Sequence, residues 1–107
     1  SSVNFTSRAS VLATAKAFED LGVSAYNGAG HLISNVDYLL VAGKIVSVEA
    51  RHASAIRDLL NPNSADFAGD DIVDSSGLDA SRTPPQVIAI ANTYFVTPLS
   101  AANLPTS

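Results

Sequence analysis

The segment Glu49-Ala50-Arg51-His52 is the part of this chain best suited to metal chemistry. A glutamate and a histidine three residues apart are neighbours on a helix surface, so both can bind the same ligand. They fall on the apolar side of a predicted helix, in a stripe that also contains Tyr38, Ala42, Ile45, Ile56 and Leu60. Charged groups are rare in such a stripe unless they have a partner. A carboxylate with a neutral imidazole favours a metal ion as that partner.

A first long helix is predicted over about residues 7–33, because apolar residues recur there at helical spacing. Glu19 lies at the centre of its apolar stripe, which is wide enough to suggest burial against more than one neighbour. We expect a kink or a break near Gly28, since glycine weakens a helix. The polar side of this helix is predicted to consist of Asp20, Ser24 and Asn27.

A second long helix is predicted over about residues 36–60. Ser34-Asn35, followed by the acidic Asp37, indicates a break and a new N-cap. Asn61-Pro62 ends the helix, because proline lacks an amide proton and disfavours helical geometry in the preceding residue.

The remaining tail is predicted to be rich in loops. Residues 61–82 carry several aspartates among serine and glycine, and the sequence Thr83-Pro84-Pro85-Gln86 then resembles a capping box that opens a short helix over about residues 84–94. The fold class is therefore all-α, an antiparallel helical hairpin with a loop-rich C-terminal tail that contains one short helix.

Two long helices joined by a few residues should pack antiparallel, which places Glu19 opposite Glu49 and His52. These three residues are the predicted metal ligands. Oxygen and nitrogen donors of this kind favour iron, with manganese or zinc as alternatives. One Glu plus one Glu-x-x-His is half of the di-metal carboxylate site that four-helix bundles contain.

Other interpretations of the polar residues remain open. The three residues could form a hydrogen-bonded cluster without a metal, with Lys16 reaching in from the edge of the stripe. His31 is a weaker candidate ligand, since it lies about 18 Å along the helix from Glu19 at ~1.5 Å per residue. The aspartates of the tail lack the spacing of an EF-hand, so a solvated loop is favoured over a calcium site; they are Asp66, Asp70, Asp71 and Asp74.

Composition excludes several functional classes. A chain of 107 residues forms one domain at most, and 47% apolar with 15% charged residues is typical of a globular protein. A net charge of -4 without a basic cluster argues against nucleic acid as a partner. No apolar run is long enough to predict a membrane span. Cysteine is absent, so a metal would be held by oxygen and nitrogen alone.

Two sequence segments, Ala17 to Ala29 and Ile45 to Ala53, resemble in their order and separation the ferritin-like domain family that includes the desiccation-related proteins. The resemblance covers about residues 3–100. It implies that the two long helices are the third and fourth of a four-helix bundle, and that Glu19, Glu49 and His52 occupy ligand positions. The first two helices of such a bundle have no counterpart here. We therefore expect either a fragment whose N-terminal half is missing or a homodimer in which two hairpins rebuild the bundle.

The resemblance implies a ferritin-like protein with a di-iron centre that oxidises ferrous iron or handles peroxide, exported from the cytoplasm as family members often are. Two alternatives belong to other classes. One is a metal-free structural bundle that protects against desiccation or other stress. The other is a helical interaction module whose apolar face docks another polypeptide.

Overall fold

The computed structural model describes residues 3–106, which form three α-helices. Helix α1 spans Arg8–Ala29, α2 spans Val36–Leu60 and α3 spans Pro84–Ala91. Short 3₁₀ turns lie at Gly30–Leu32 and Ala65–Ala68. The described residues form no strand, only an isolated bridge between Val73 and Asp79. The predicted all-α class, a helical hairpin followed by a loop-rich tail with one short helix, is confirmed.

Local capping explains where the two long helices begin. The Ser7 hydroxyl accepts a hydrogen bond from the Ser10 amide at the start of α1. The Asn35 side chain accepts from the amides of Asp37 and Tyr38 at the start of α2. Each cap satisfies amide groups that have no partner inside the first helical turn. Among residues 3–106, no helix combines the length and apolar character needed to cross a membrane.

Two helices end earlier than their periodicity predicted. Helix α1 stops at Ala29, and the segment expected to continue it through Ile33 is a tighter 3₁₀ turn. The low helical propensity of glycine at Gly28 and Gly30 accounts for this change. Helix α3 begins with the expected proline pair, and the Thr83 amide donates to Gln86 Oε1 at 2.9 Å, but the helix ends three residues before Tyr94.

The tail packs on the side of α1 that was predicted to be polar. Ser24 is fully buried, and its carbonyl accepts a hydrogen bond from the Arg82 amide at 3.0 Å. The Asn27 side chain donates to the Ala80 carbonyl at 3.0 Å. Ser24 is therefore buried although it lies on the predicted polar side, and its hydroxyl donates to the Leu21 carbonyl of its own helix at 2.9 Å. Asn27 bonds to the tail but stays exposed, as its place on the polar side predicted.

The apolar stripe of α2 is instead largely uncovered. Tyr38 is 70% exposed and Val41 is 52% exposed, while Ile45 and Val48 keep more than a third of their surface. We call these four residues the open face; at helical spacing His52 lies on the same side. On α1, Phe18 packs against the tail through Tyr94, with ring centroids 4.8 Å apart.

The tail also explains why α1 carries a glycine at position 28. A Cβ built on Gly28 would lie 1.8 Å from the Arg82 carbonyl oxygen, a distance that no side chain can occupy. The substitution Gly28→Ala should therefore displace residues 80–82 and lower the free energy of unfolding by about 1–3 kcal/mol. Urea unfolding followed by circular dichroism measures this change.

Gly43→Ala is the matched control, since Gly43 lies inside α2 and a Cβ there meets no atom within 4 Å. Alanine should stabilise this helix by up to about 1 kcal/mol. If both substitutions shifted the unfolding midpoint in the same direction, close packing of the tail on Gly28 would be refuted.

Candidate metal centre

The hairpin brings together the three residues predicted to share a metal. Glu19 comes from the middle of α1, and Glu49 and His52 come from adjacent turns of α2. One ligand atom from each residue lies within 4.8 Å of the other two. His52 Nδ1 is 3.5 Å from Glu19 Oε1. Glu49 lies beside Gly22, where a Cβ would be 3.9 Å from Glu49 Oε2.

This cluster is half-open rather than buried as the apolar stripe predicted. The Glu19 side chain is 23% exposed, Glu49 is of intermediate burial and the His52 side chain is 56% exposed. Glu19 is screened by packing between the helices, whereas His52 lies on the uncovered side of α2. The difference arises because no described segment of the chain packs over the open face.

Glu19 has the most unusual electrostatic environment of the three. Its Oε2 atom is buried and has no hydrogen-bond partner. Burial, followed by a hydrogen bond and charge repulsion from Glu49, raises the pKa of Glu19 from 4.5 to about 6, although His52 opposes this shift. Near neutral pH the site therefore contains excess negative charge next to an unsatisfied oxygen, which a cation would relieve.

The donor set fits a metal ion in its chemistry and roughly in its size. Two carboxylates and an imidazole suit iron, manganese or zinc. Donor atoms on one ion with bonds of about 2.0–2.2 Å lie roughly 3–4 Å apart, so the observed spacing would need to contract by about 1 Å. Rotation of the partly exposed side chains could supply this contraction.

The other candidates from the sequence lie apart from this cluster. His31 is exposed, in the 3₁₀ turn that follows α1. Lys16 Nζ is 3.5 Å from Asp71 Oδ2, so its described partner is the tail rather than Glu19. The aspartates of the tail form no group suited to a metal among residues 3–106. Asp74, for example, accepts hydrogen bonds from the amides of Ser76 and Leu78 within its own turn.

Sequence analysis missed Arg57, the most buried charged residue of the described chain. Its side chain is 4% exposed and bonds to Asp20 Oδ2 at 2.8 Å and to Asp71 Oδ1 at 2.5 Å. The hydrogen bond from Arg57 lowers the pKa of Asp71. Helical spacing gave a signal for this ion pair. Asp20 lies about 100° from Glu19 around the axis of α1, and Arg57 lies about 80° from Glu49 around the axis of α2, so both border the apolar stripes.

The raised pKa of Glu19 predicts a pH-dependent cost to folding in metal-free protein. The folded pKa, about 6, exceeds the unfolded value of 4.5, so ionisation of Glu19 disfavours the folded state. The cost is absent below pH 4.5, develops between 4.5 and 6 and is complete above 6. We expect Glu19→Gln to raise the free energy of unfolding by about 1–2 kcal/mol at pH 7.5 and to leave it nearly unchanged at pH 4.

Denaturant unfolding at the two pH values, with chelator present, checks this expectation. Asp58→Asn is the matched control, since it removes one negative charge from an exposed position of α2. If Glu19→Gln instead lowered the free energy of unfolding at pH 7.5, the ionised Glu19 carboxylate would stabilise the metal-free fold, and the prediction would be wrong.

Comparison with known proteins agrees with this geometry. A family model described as a ferritin-like domain matches residues 1–62, a span that contains α1, α2 and all three clustered residues. The match ends before the tail, so the resemblance expected up to about residue 100 is supported only for the hairpin. No curated protein and no solved structure matches the chain significantly. Because the family model covers more than half of its 107 residues, the chain belongs to the ferritin-like domain family.

Proposed function

We propose that this protein binds iron through Glu19, Glu49 and His52, which supply half of a di-metal carboxylate centre. One observation carries the proposal: three ligand atoms from two helices converge within 4.8 Å, and Glu19 Oε2 beside them is buried without a partner. Buried carboxylate oxygens are normally satisfied by a hydrogen bond or a cation.

Each residue has a distinct role in this proposal. Glu19 and Glu49 supply the negative charge, and a divalent cation would replace the proton that burial and the nearby Glu49 favour on Glu19. His52 supplies a neutral nitrogen, and its exposed side leaves room for an incoming ion. Bound iron would supply the redox chemistry for oxidising ferrous iron with dioxygen or peroxide as the electron acceptor. Manganese and zinc suit the same donors.

The centre is incomplete within one hairpin. Three side chains cannot fill the coordination of two ions, and the open face exposes apolar surface that soluble monomers seldom tolerate. We propose that a second half covers this face and contributes the remaining ligands. A second copy of the chain would do so as a homodimer; an N-terminal half with two more helices is the alternative.

A metal-free bundle, structural or protective under desiccation or other stress, is the second candidate. It is favoured by the contact between His52 and Glu19 at 3.5 Å, which partly satisfies the cluster without a metal. If the open face instead docks an unrelated polypeptide, the protein would be a helical interaction module. Titration with ferrous iron separates the metal centre from the metal-free bundle, and sedimentation of the parent chain tests self-association through the open face.

The two histidines of the chain allow a matched test of metal binding. We expect anaerobic titration of the chelated protein with ferrous iron to give saturable binding. His52→Ala and Glu49→Ala should weaken it by about tenfold or more, since even groups that only support a ligand contribute that much. His31→Ala removes a histidine outside the cluster and should leave affinity unchanged. Binding is followed by calorimetry and by elemental analysis of the dialysed protein.

Two outcomes would reject the metal function. The first is a parent protein that binds no ferrous iron; the second is equal weakening by His52→Ala and His31→Ala. Either result would favour the metal-free bundle.

Self-association through the open face predicts a specific sensitivity to charge. Val41→Lys introduces an ammonium group into this face, whereas Ser47→Lys introduces one on the opposite side of α2. Burying an unpaired ammonium costs several kcal/mol, so Val41→Lys should raise the dimer dissociation constant by about a hundredfold or more. Ser47→Lys should leave it unchanged.

Sedimentation velocity over a range of concentrations measures both variants and the parent. A parent chain that stays monomeric throughout would reject the homodimer and leave an N-terminal half or an unrelated polypeptide as the proposed partner.

A further inference from the structure

Arg57 connects three parts of the molecule through one nearly buried side chain. From α2, its Nη2 bonds to Asp20 of α1 at 2.8 Å and its Nη1 bonds to Asp71 of the tail. Its Nε is buried without a partner, as is Asp20 Oδ1. An ion pair with unsatisfied atoms is weak evidence for stability, and such pairs are retained in some proteins because they specify one arrangement.

The contact with Asp20 lies beside the candidate metal centre. Asp20 directly follows Glu19 in α1, so any restraint on Asp20 also restrains the backbone that carries Glu19. Arg57 follows His52 by five residues, about 7.5 Å of helix rise, and thus lies on the same rigid helix as both other ligands.

Near Glu19 and Glu49, the other interactions between α1 and α2 are weak or unfavourable. Glu19 and Glu49 place carboxyl groups of like charge within 4.8 Å of each other across the hairpin, so this contact does not attract the helices. The buried apolar side chains of the two helices are few: Leu21 and Val23 on α1 and Ala53 on α2. Such a sparse contact specifies the rotation of α1 poorly, whereas a charged hydrogen bond specifies it in distance and angle.

We propose that Arg57 is a positioning residue for the metal centre. By holding Asp20, it fixes the rotation and register of α1 against α2 that bring Glu19 next to Glu49 and His52. Its second bond, to Asp71, attaches the tail. Asp71 also lies 3.5 Å from Lys16 of α1, but Asp71 is largely exposed, and we expect this longer link through the tail not to set the geometry of the metal centre. The consequence for metal affinity rests on the proposed function, whereas the geometric effect does not.

Two chemically identical substitutions separate the two bonds. Asp20→Asn weakens the bond between the helices, and Asp71→Asn weakens the bond to the tail. Because the chain lacks cysteine, spin labels can be placed on Ala13→Cys and Ala55→Cys, which are exposed positions on α1 and α2. Pulsed electron paramagnetic resonance then gives the distance between the helices in metal-free protein. An excess of unlabelled protein restricts the signal to distances within one chain.

We expect Asp20→Asn to broaden or shift the distance distribution, and Asp71→Asn to leave it as in the parent. A Co²⁺ titration of the unlabelled variants, followed by absorbance, should show affinity about tenfold weaker for Asp20→Asn than for Asp71→Asn. An unchanged distribution in Asp20→Asn, or equal changes in both variants, would overturn the proposal.

The outcomes also distinguish this proposal from the proposed function. If the parent binds no Co²⁺ but Asp20→Asn still disturbs the distance, the metal function fails and the positioning role stands. If the parent binds Co²⁺ and Asp20→Asn changes neither distance nor affinity, the positioning role fails alone.

A double variant covers the case in which Asp20→Asn does not fold. Asp20→Leu with Arg57→Met replaces the ion pair by apolar groups of similar length, an exchange that proteins often tolerate. It should fold, as judged by circular dichroism, with a broadened distance distribution. A distribution as narrow as that of the parent would show that apolar packing alone sets the register and would overturn the proposal.

Discussion

The close approach of Glu19 to Glu49 across the hairpin is the constraint on which the rest of the structure depends. Two carboxylates that share a partly buried site raise the free energy of the folded chain above pH 6. Few apolar side chains are fully buried between the helices to offset this cost. The ion pair between Arg57 and Asp20, one residue from Glu19, supplies attraction where the carboxylates repel. The tail adds further contacts along the same side of α1.

The convergence of Glu19, Glu49 and His52 could be predicted because it depends only on local rules. Helical periodicity places each residue on the apolar side of its helix, and a short connection requires the helices to be antiparallel. The side of α1 that contacts the tail could not be predicted in this way. Ser24 is polar, yet it is buried because the tail packs over it at Arg82, while its hydroxyl bonds to the Leu21 carbonyl within α1. A helical wheel carries no information about a backbone 58 residues further along the chain.

Helical periodicity also did not predict which side chains of α2 are buried. The apolar stripe of α2 is real as a pattern, but Tyr38 is 70% exposed because no described segment packs over it. A pattern shows which side of a helix prefers an apolar neighbour; it does not show whether the same chain provides one. Arg57 illustrates the converse, since a guanidinium beside the stripe is buried by partners 37 and 14 residues away in sequence.

In the proposed function, metal binding and covering of the open face are linked through the same surface. His52 is 56% exposed on the side of α2 that bears the open face, so a second half that covers it also reaches the metal ligands. A ligand that binds only the assembled state stabilises that state by mass action, and the assembled state in turn binds the ligand more tightly. The unpaired Glu19 oxygen favours the assembled state in this proposal. Its free-energy cost remains in the isolated hairpin and is relieved when a metal completes the centre. In this proposal, the hairpin with its costly, half-open cluster is poorly suited to be an independent unit and well suited to form one half of a metal-binding bundle.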